Sequence, residues 1–281
     1  ELGTGLVEYI GGPQFAHLLL GPLENLAVVE ETVVREKACD SINQLAGIMS
    51  DQQIQTFYLP LLHRLSSGEW FTSRTSAALL FASVYEKIPL SMRADVHSMF
   101  VSLCTDETPM VRRAAARDMS ALVKRMSPEV IINEMLPLYR RLSADDQDSV
   151  RLLTVQNLVA MAEVLSPAET QQLLLSSICG AFQDKSWRVR YMAADNFVQL
   201  ATAVGEDVVK EDLVPAYINL MRDAEAEVRT AAATQLPGLA KLLDQNTIIE
   251  RLLPVAKELA DDPSQHVRGA LAAQVSALAP L

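Results

Sequence analysis

At 281 residues the chain is long enough for about two ordinary domains. Hydrophobic residues make up 49% of it but aromatics only 5%, with 11 Gly, which suits packed helices better than a sheet full of tight turns. Lys and Arg number 24 against 35 Asp and Glu, so the net charge of −11 repels phosphate backbones and anionic headgroups and argues against nucleic-acid and membrane partners.

In chain order, Leu2, Leu6 and Ile10 share one helical face and Gly11-Gly12 follow as a stop, which predicts the tail of a helix over residues 1–12. No partner segment precedes it and residue 1 is Glu, so the chain reads as beginning inside a repeat of something longer. From there a Val-Arg pair recurs at Arg35, Arg112, Arg151, Arg190, Arg229 and Arg268, with Ser73-Arg74 at the remaining place. The steps between these arginines are 39, 38, 39, 39, 39 and 39 residues. Such a period overrides the two-domain estimate, because stacked units share one core. It predicts seven units, 13–50, 51–89, 90–127, 128–166, 167–205, 206–244 and 245–281, in a single solenoid.

Each unit holds an apolar first segment, a polar turn and a second segment opening on the arginine, which predicts two antiparallel helices. In one second segment Val189, Met192, Ala193, Phe197, Leu200, Ala201 and Val204 recur at three- and four-residue steps, which is one face of an α-helix. Ala stands three residues after the arginine at positions 38, 77, 115, 193 and 232, where a small side chain lets helices approach. Pro stands fourteen residues before it at 60, 137, 215 and 254, with Pro22 offset by one, and predicts a kinked first helix. The units with Ser98 and Ser176 at that place are expected to be straighter. Asp stands six residues before it at 106, 145, 184, 223 and 262. Turn and cap chemistry explains an Asp there. A more specific expectation is a charged ladder in which Asp106, Asp145, Asp184, Asp223 and Asp262 meet Arg35, Arg74, Arg112, Arg151, Arg190, Arg229 and Arg268 of adjacent units.

No enzyme constellation is present: no Gly-Lys-Ser/Thr phosphate loop, no His-Glu-x-x-His and no Gly-x-Ser-x-Gly elbow. His17, His63, His97 and His266 fall in different units and read as surface or packing residues, so no metal site is expected. Cys39, Cys104 and Cys179 lie 65 and 75 residues apart, which argues against a disulfide framework or a Cys zinc site and fits a reducing cytoplasmic or nuclear compartment. The acidic run Asp145-Asp146-Gln147-Asp148 lacks the Gly and distal Glu of an EF-hand loop and reads as a solvated turn. Trp70 and Trp187 each fall in a turn between the two helices of a unit. One explanation is a lid over the core; the other, favoured because Trp and Arg dominate interfaces, is a docking ridge formed where a solenoid aligns its turns.

The first-helix Pro, turn Asp and Val-Arg opening together resemble the HEAT family of helical repeats. That resemblance implies an all-α fold, a right-handed-type α-α superhelix of about seven two-helix repeats plus a partial N-terminal one. Five strings, Glu30 to Arg35, Trp70 to Ser76, Thr108 to Ala116, Gln147 to Leu152 and Asp184 to Met192, occur in an order similar to that of the scaffolding A-type subunits of type 2A protein phosphatase. The HEAT likeness covers nearly the whole chain. The likeness of the five strings implies a scaffold without catalysis or cofactor, whose within-repeat turns dock regulatory, B-type subunits. The matching positions are Glu30, Glu31, Trp70, Phe71, Thr108, Pro109, Met110, Arg113, Gln147, Asp148, Ser186, Trp187 and Arg188. The catalytic subunit is expected on later repeats of such scaffolds. The alternative is another HEAT-type adaptor, such as an importin-like receptor gripping cargo on its second-helix surfaces.

Overall fold

The computed structural model describes residues 5–278. Among them the regular elements are all helical. They fall into α1 (13–26), α2 (Thr32–Ile48), α3 (51–66), α4 (71–87), α5 (Leu90–Cys104), α6 (Pro109–Val123), α7 (128–143), α8 (Asp148–Val164), α9 (Pro167–Phe182), α10 (187–204), α11 (206–221), α12 (Ala226–Ala240), α13 (245–260) and α14 (Gln265–Leu278). Odd-numbered helices are the first segments of the sequence units and even-numbered helices the second. The chain divides into two compact units, one through Leu142 and one from Ser143. The division falls at the last residues of α7, where the sequence period marks no boundary.

Within each unit the helices form two layers. In the first, α2, α4 and α6 pack in succession as one layer, with α3 against α4 and α5 against α6. In the second, α8, α10, α12 and α14 pack in succession, and α9, α11 and α13 form the other layer. The register alanines Ala38, Ala77, Ala115, Ala193 and Ala232 are all buried, and side chains this small let packed helices approach closely. Aromatic side chains fill the wider space between the layers. Phe81 meets Phe100 edge-on at 5.2 Å in the first unit, and in the second Phe197 lies 4.8 Å from Phe182 and 4.7 Å from Tyr217.

The register prolines act through a local widening of the helix. Each of α3, α7, α11 and α13 contains a π turn, at Ile54–Tyr58, Ile131–Met135, Val209–Leu213 and Ile248–Leu252, two residues ahead of Pro60, Pro137, Pro215 and Pro254. The residue before each proline donates its amide five positions back, as Leu59 does to Ile54. Proline has no amide and its ring crowds the carbonyl four residues earlier. The wide turn moves that carbonyl out of the way and leaves the helix continuous. Helices α5 and α9, with Ser98 and Ser176 at this place, are uninterrupted α-helix.

One sequence expectation is corrected. Leu2 lies outside the described residues, and residues 5–11 form successive turns instead of a helix tail. Their bonds have mixed reach, with Tyr9 N–H to the Leu6 carbonyl at 3.1 Å but Gly12 N–H to the Val7 carbonyl at 2.9 Å, and Gly11 and Gly12 both sit at φ +104°, which prevents a helix from running on. The face from Val189 to Val204 is buried, and the structure adds an interruption of α10 within it, at Asn196 (φ −103°, ψ 14°). The Asn196 side chain donates to the Met192 carbonyl at 2.8 Å, in competition with its own backbone amide at 3.2 Å, and accepts from Gln156 at 2.9 Å. A side chain that bonds its own helix in this way favours a bend. Met192 is left half-buried.

Candidate functional site

The site begins with the turns that lead into the even-numbered helices. Each register Asp accepts, through Oδ1, the amide two residues on: Thr108 to Asp106 at 2.8 Å, Gln147 to Asp145 at 2.9 Å, Ser186 to Asp184 at 2.7 Å, Glu225 to Asp223 at 3.0 Å and Ser264 to Asp262 at 2.8 Å. These are Asx turns that deliver the chain, extended, into the next helix. The register Arg then reaches back and donates Nη1 to two carbonyls of its own turn. Arg190 meets the carbonyls of Asp184 and Lys185 at 2.8 and 3.4 Å, and Arg112 those of Asp106 and Glu107 at 2.8 and 3.1 Å. Arg35, Arg74, Arg151, Arg229 and Arg268 make the same clamp.

The opposite guanidinium edge, Nε with Nη2, binds the Asp of the following repeat in both oxygens. Arg74 holds Asp106 at 2.6 and 3.2 Å, Arg151 holds Asp184 at 2.9 Å twice, Arg190 holds Asp223 at 2.6 and 2.9 Å, and Arg229 holds Asp262 at 2.7 and 3.0 Å. Turn chemistry and ladder therefore coexist in one side chain: Oδ1 serves both the turn amide and the neighbouring arginine. Burial pushes the carboxyls of Asp106, Asp184 and Asp223 up, but the arginine and amide hydrogen bonds outweigh it and hold them below the usual carboxylate range. In Asp262 the Arg229 bond leads and burial is the lesser effect. Bidentate, partly buried pairs of this kind fix geometry as well as energy.

The expected docking residues lie on these clamped turns in both compact units, and some of them come together. In the second unit Asp148 accepts from Ser186 Oγ at 2.8 Å and pairs with Arg188 at 3.8 Å, while the Arg188 guanidinium lies 5.8 Å from the centre of the Trp187 ring. Gln147 is exposed at the start of α8. In the first unit Glu30 and Glu31 are exposed, Thr108 and Pro109 open α6, and Trp70 is 72% exposed, which rules out the lid. Phe71, Met110 and Arg113 come together in a groove that crosses α2, α4 and α6. Sequence reasoning missed the other side chains of this groove, among them Thr32, Arg35, Glu36, Thr75 and Arg117. The helical spacing of Thr75 from Phe71 and of Arg117 from Met110 was a usable signal, but only packing brings Thr32, Arg35 and Glu36 of α2 alongside them.

Elsewhere, His17 stacks on Phe57 at 4.1 Å, and His97 is buried between the Tyr85 hydroxyl and Glu134, where burial lowers its pKa against the pull of Glu134. His63 and His266 are exposed. Among the described residues no group of three or more His, Cys, Asp or Glu could hold a metal ion. No helix there is long and apolar enough to cross a membrane.

Comparison with known proteins points to one family. Residues 174–204 match the HEAT repeat and residues 206–281 the PPP2R1A-like HEAT repeat. The chain is 47% identical over 144 residues to the A-type regulatory subunit of protein phosphatase PP2A from Schizosaccharomyces pombe, covering 51% of this chain and 24% of that one. It is 51% identical over 121 residues to the beta isoform of the 65 kDa A-type regulatory subunit of serine/threonine-protein phosphatase 2A from Homo sapiens, covering 43% and 20%. It is 43% identical over 139 residues to the protein phosphatase 2A scaffold subunit of Dictyostelium discoideum, covering 50% and 24%. The matched stretch thus spans about a quarter or less of each relative's length. In solved structures the fold is similar to that of Kap121p bound to Nup53p, with a TM-score of 0.73 at 15% identity over 96% of this chain and 29% of that one. It is also similar to Cex1p, with a TM-score of 0.65 at 16% identity over 99% and 55%.

Proposed function

We propose that this chain, a member of the HEAT-repeat family of A-type regulatory subunits of phosphatase 2A, is a non-catalytic scaffold whose clamped turns dock regulatory, B-type phosphatase subunits. The observation that carries this role is the pairing of rigid turns with exposed aromatics. Trp70, Phe71, Met110 and Trp187 are 72%, 41%, 52% and 38% exposed on backbone pinned by the arginine clamps. Large apolar side chains held in water on a fixed frame lose little freedom on binding and are typical interface anchors. The names of the relatives, regulatory and scaffold subunits of phosphatase 2A, support phosphatase subunits as partners. The mechanism is presentation, with no bond made or broken. Catalytic-subunit contacts are assigned to other repeats of such scaffolds, and the setting to the cytoplasm or nucleus.

The test is binding of a purified phosphatase 2A regulatory B-type protein to the full chain carrying Trp70→Ala, Phe71→Ala or Trp187→Ala. An interface anchor truncated in this way weakens binding about 30-fold or more, equivalent to about 2 kcal/mol. Unchanged affinity with helicity intact removes the docking assignment. Weakening by Thr75→Ala and Arg117→Ala alone would favour instead an adaptor that grips its partner on second-helix surfaces.

A further inference from the structure

We infer that Arg35 is an open rung of the arginine–aspartate ladder and receives an acidic side chain, Asp or Glu, from the docked regulatory protein. The inference rests on the docking function proposed above and adds the chemistry of one contact. In four rungs the Asp lies 32 or 33 residues after the Arg that holds it, as Asp106 follows Arg74 and Asp184 follows Arg151. The residue 33 after Arg35 is Gly68. No side chain can simply be added there: a Cβ on Gly68 would lie 2.4 Å from Ser73 Oγ and 2.8 Å from Ser73 Cβ. Ser73 occupies the place of the register Val and spends its hydroxyl on the Leu65 carbonyl at 2.9 Å.

Arg35 nevertheless keeps the orientation of its counterparts. Its Nη1 clamps the Val29 and Glu30 carbonyls at 2.8 and 2.6 Å. Its other edge has one weak partner within its own helix, Thr32 Oγ1, 3.2 Å from Nη2. An edge that takes a carboxylate in two bonds elsewhere in the molecule is therefore unfilled, and Arg35 lines the groove with Phe71, Met110 and Arg113. The acid in the groove, Glu36, is engaged by Arg117 at 3.6 Å. A carboxylate beside an apolar side chain matches these surroundings, with the guanidinium as the planar fork and Phe71 and Met110 as the apolar wall. On a chain of net charge −11, a niche of this sign selects among acidic partners that the rest of the surface repels.

Affinity of the full chain for the purified regulatory protein is measured for Arg35→Ala and Arg35→Lys, alongside Phe71→Ala. Arg35→Ala should weaken binding about tenfold or more, and Arg35→Lys should recover only part of it, since an ammonium cannot make the two-pronged contact. Because Arg35→Ala also removes the turn clamp, a double-mutant cycle is run against Asp→Asn and Glu→Gln changes in the regulatory protein. One partner carboxylate should couple to Arg35 by about tenfold. Gly68→Asp combined with Ser73→Gly makes room for an internal carboxylate and should weaken binding as far as Arg35→Ala does. Weakened binding without coupling to any partner carboxylate would assign Arg35 to the clamp alone and overturn the inference. Unchanged affinity for both Arg35 variants while Phe71→Ala still weakens binding would overturn it and leave the docking function standing. If Phe71→Ala and Trp70→Ala are silent too, the docking function itself fails.

Discussion

The turn from Gly68 to Arg74 and the turn from Asp184 to Arg190 occupy the same register and differ in how they are closed. Asp184 is held from behind by Arg151, and Arg190 holds Asp223 ahead. Gly68 offers Arg35 nothing from behind, and only the forward bond from Arg74 to Asp106 is made. The aromatic at each turn follows suit: Trp187 is 38% exposed beneath Arg188, while Trp70 is 72% exposed. A turn closed on both sides spends its charges internally and sets a fixed frame. A turn closed on one side leaves a guanidinium and a large ring for a partner.

The largest difference should appear when the closed turn is opened. Asp184→Ala leaves Arg151, 5% exposed, without its carboxylate, and should cost about 3–5 kcal/mol in denaturant unfolding. Arg35→Ala removes only clamp bonds and should cost about 1 kcal/mol. Equal costs would erase the distinction between the two turns. The core beneath offers a check on the same scale: Leu200, fully buried, should cost about 2–5 kcal/mol on change to Ala. In quasi-linear packing that loss should split unfolding into stages.

Slightly smaller is the effect expected from moving a proline between the two kinds of first helix. Ser176→Pro in α9, which has no π turn, should destabilise by about 3 kcal/mol, while Pro60→Ala in α3 should change stability by less than about 1 kcal/mol. Thermal or denaturant melts of both variants decide it.

Acid sharpens the comparison further. The ladder carboxyls have pKa values below the unfolded value, so their stabilisation is complete above about pH 4 and is lost as pH falls through the folded values. Asp184→Asn should flatten that acid slope. Asp118 runs the other way: burial pushes its carboxyl up to about 6, against Arg117, so stability falls as pH rises from about 4 to about 6. Asp118→Asn should abolish that loss, seen in melting temperature across the window. Smallest of all, Trp187→Ala should shift stability by no more than about 0.5 kcal/mol, because the ring is only partly covered, even as docking weakens.

Much of the ladder could be read in the sequence because a solenoid turns register into contact: an Asp six residues before one Arg meets the Arg of the preceding repeat. The role of Gly68 was legible as a missing Asp, but its meaning required seeing that Arg35 keeps its clamp and faces the groove. The break at Asn196 was hidden by a pattern of apolar residues that continues through it, since the Gln156 partner comes from another helix. The groove across α2, α4 and α6 was invisible for the same reason, as it is made by packing. The prolines gave the position of the wide turns without their form.

Those wide turns also set where the first helices yield. A helix resists bending through its ladder of backbone bonds, and in α3, α7, α11 and α13 that ladder is interrupted at the same point by an amide-less residue and a widened turn of backbone. Under a pulling or twisting load, strain concentrates at such joints. They lie in the first-helix layers, away from the starts of the even-numbered helices that carry the exposed aromatics. Bending at those joints leaves the clamped turns and their exposed aromatics on an unaltered local frame.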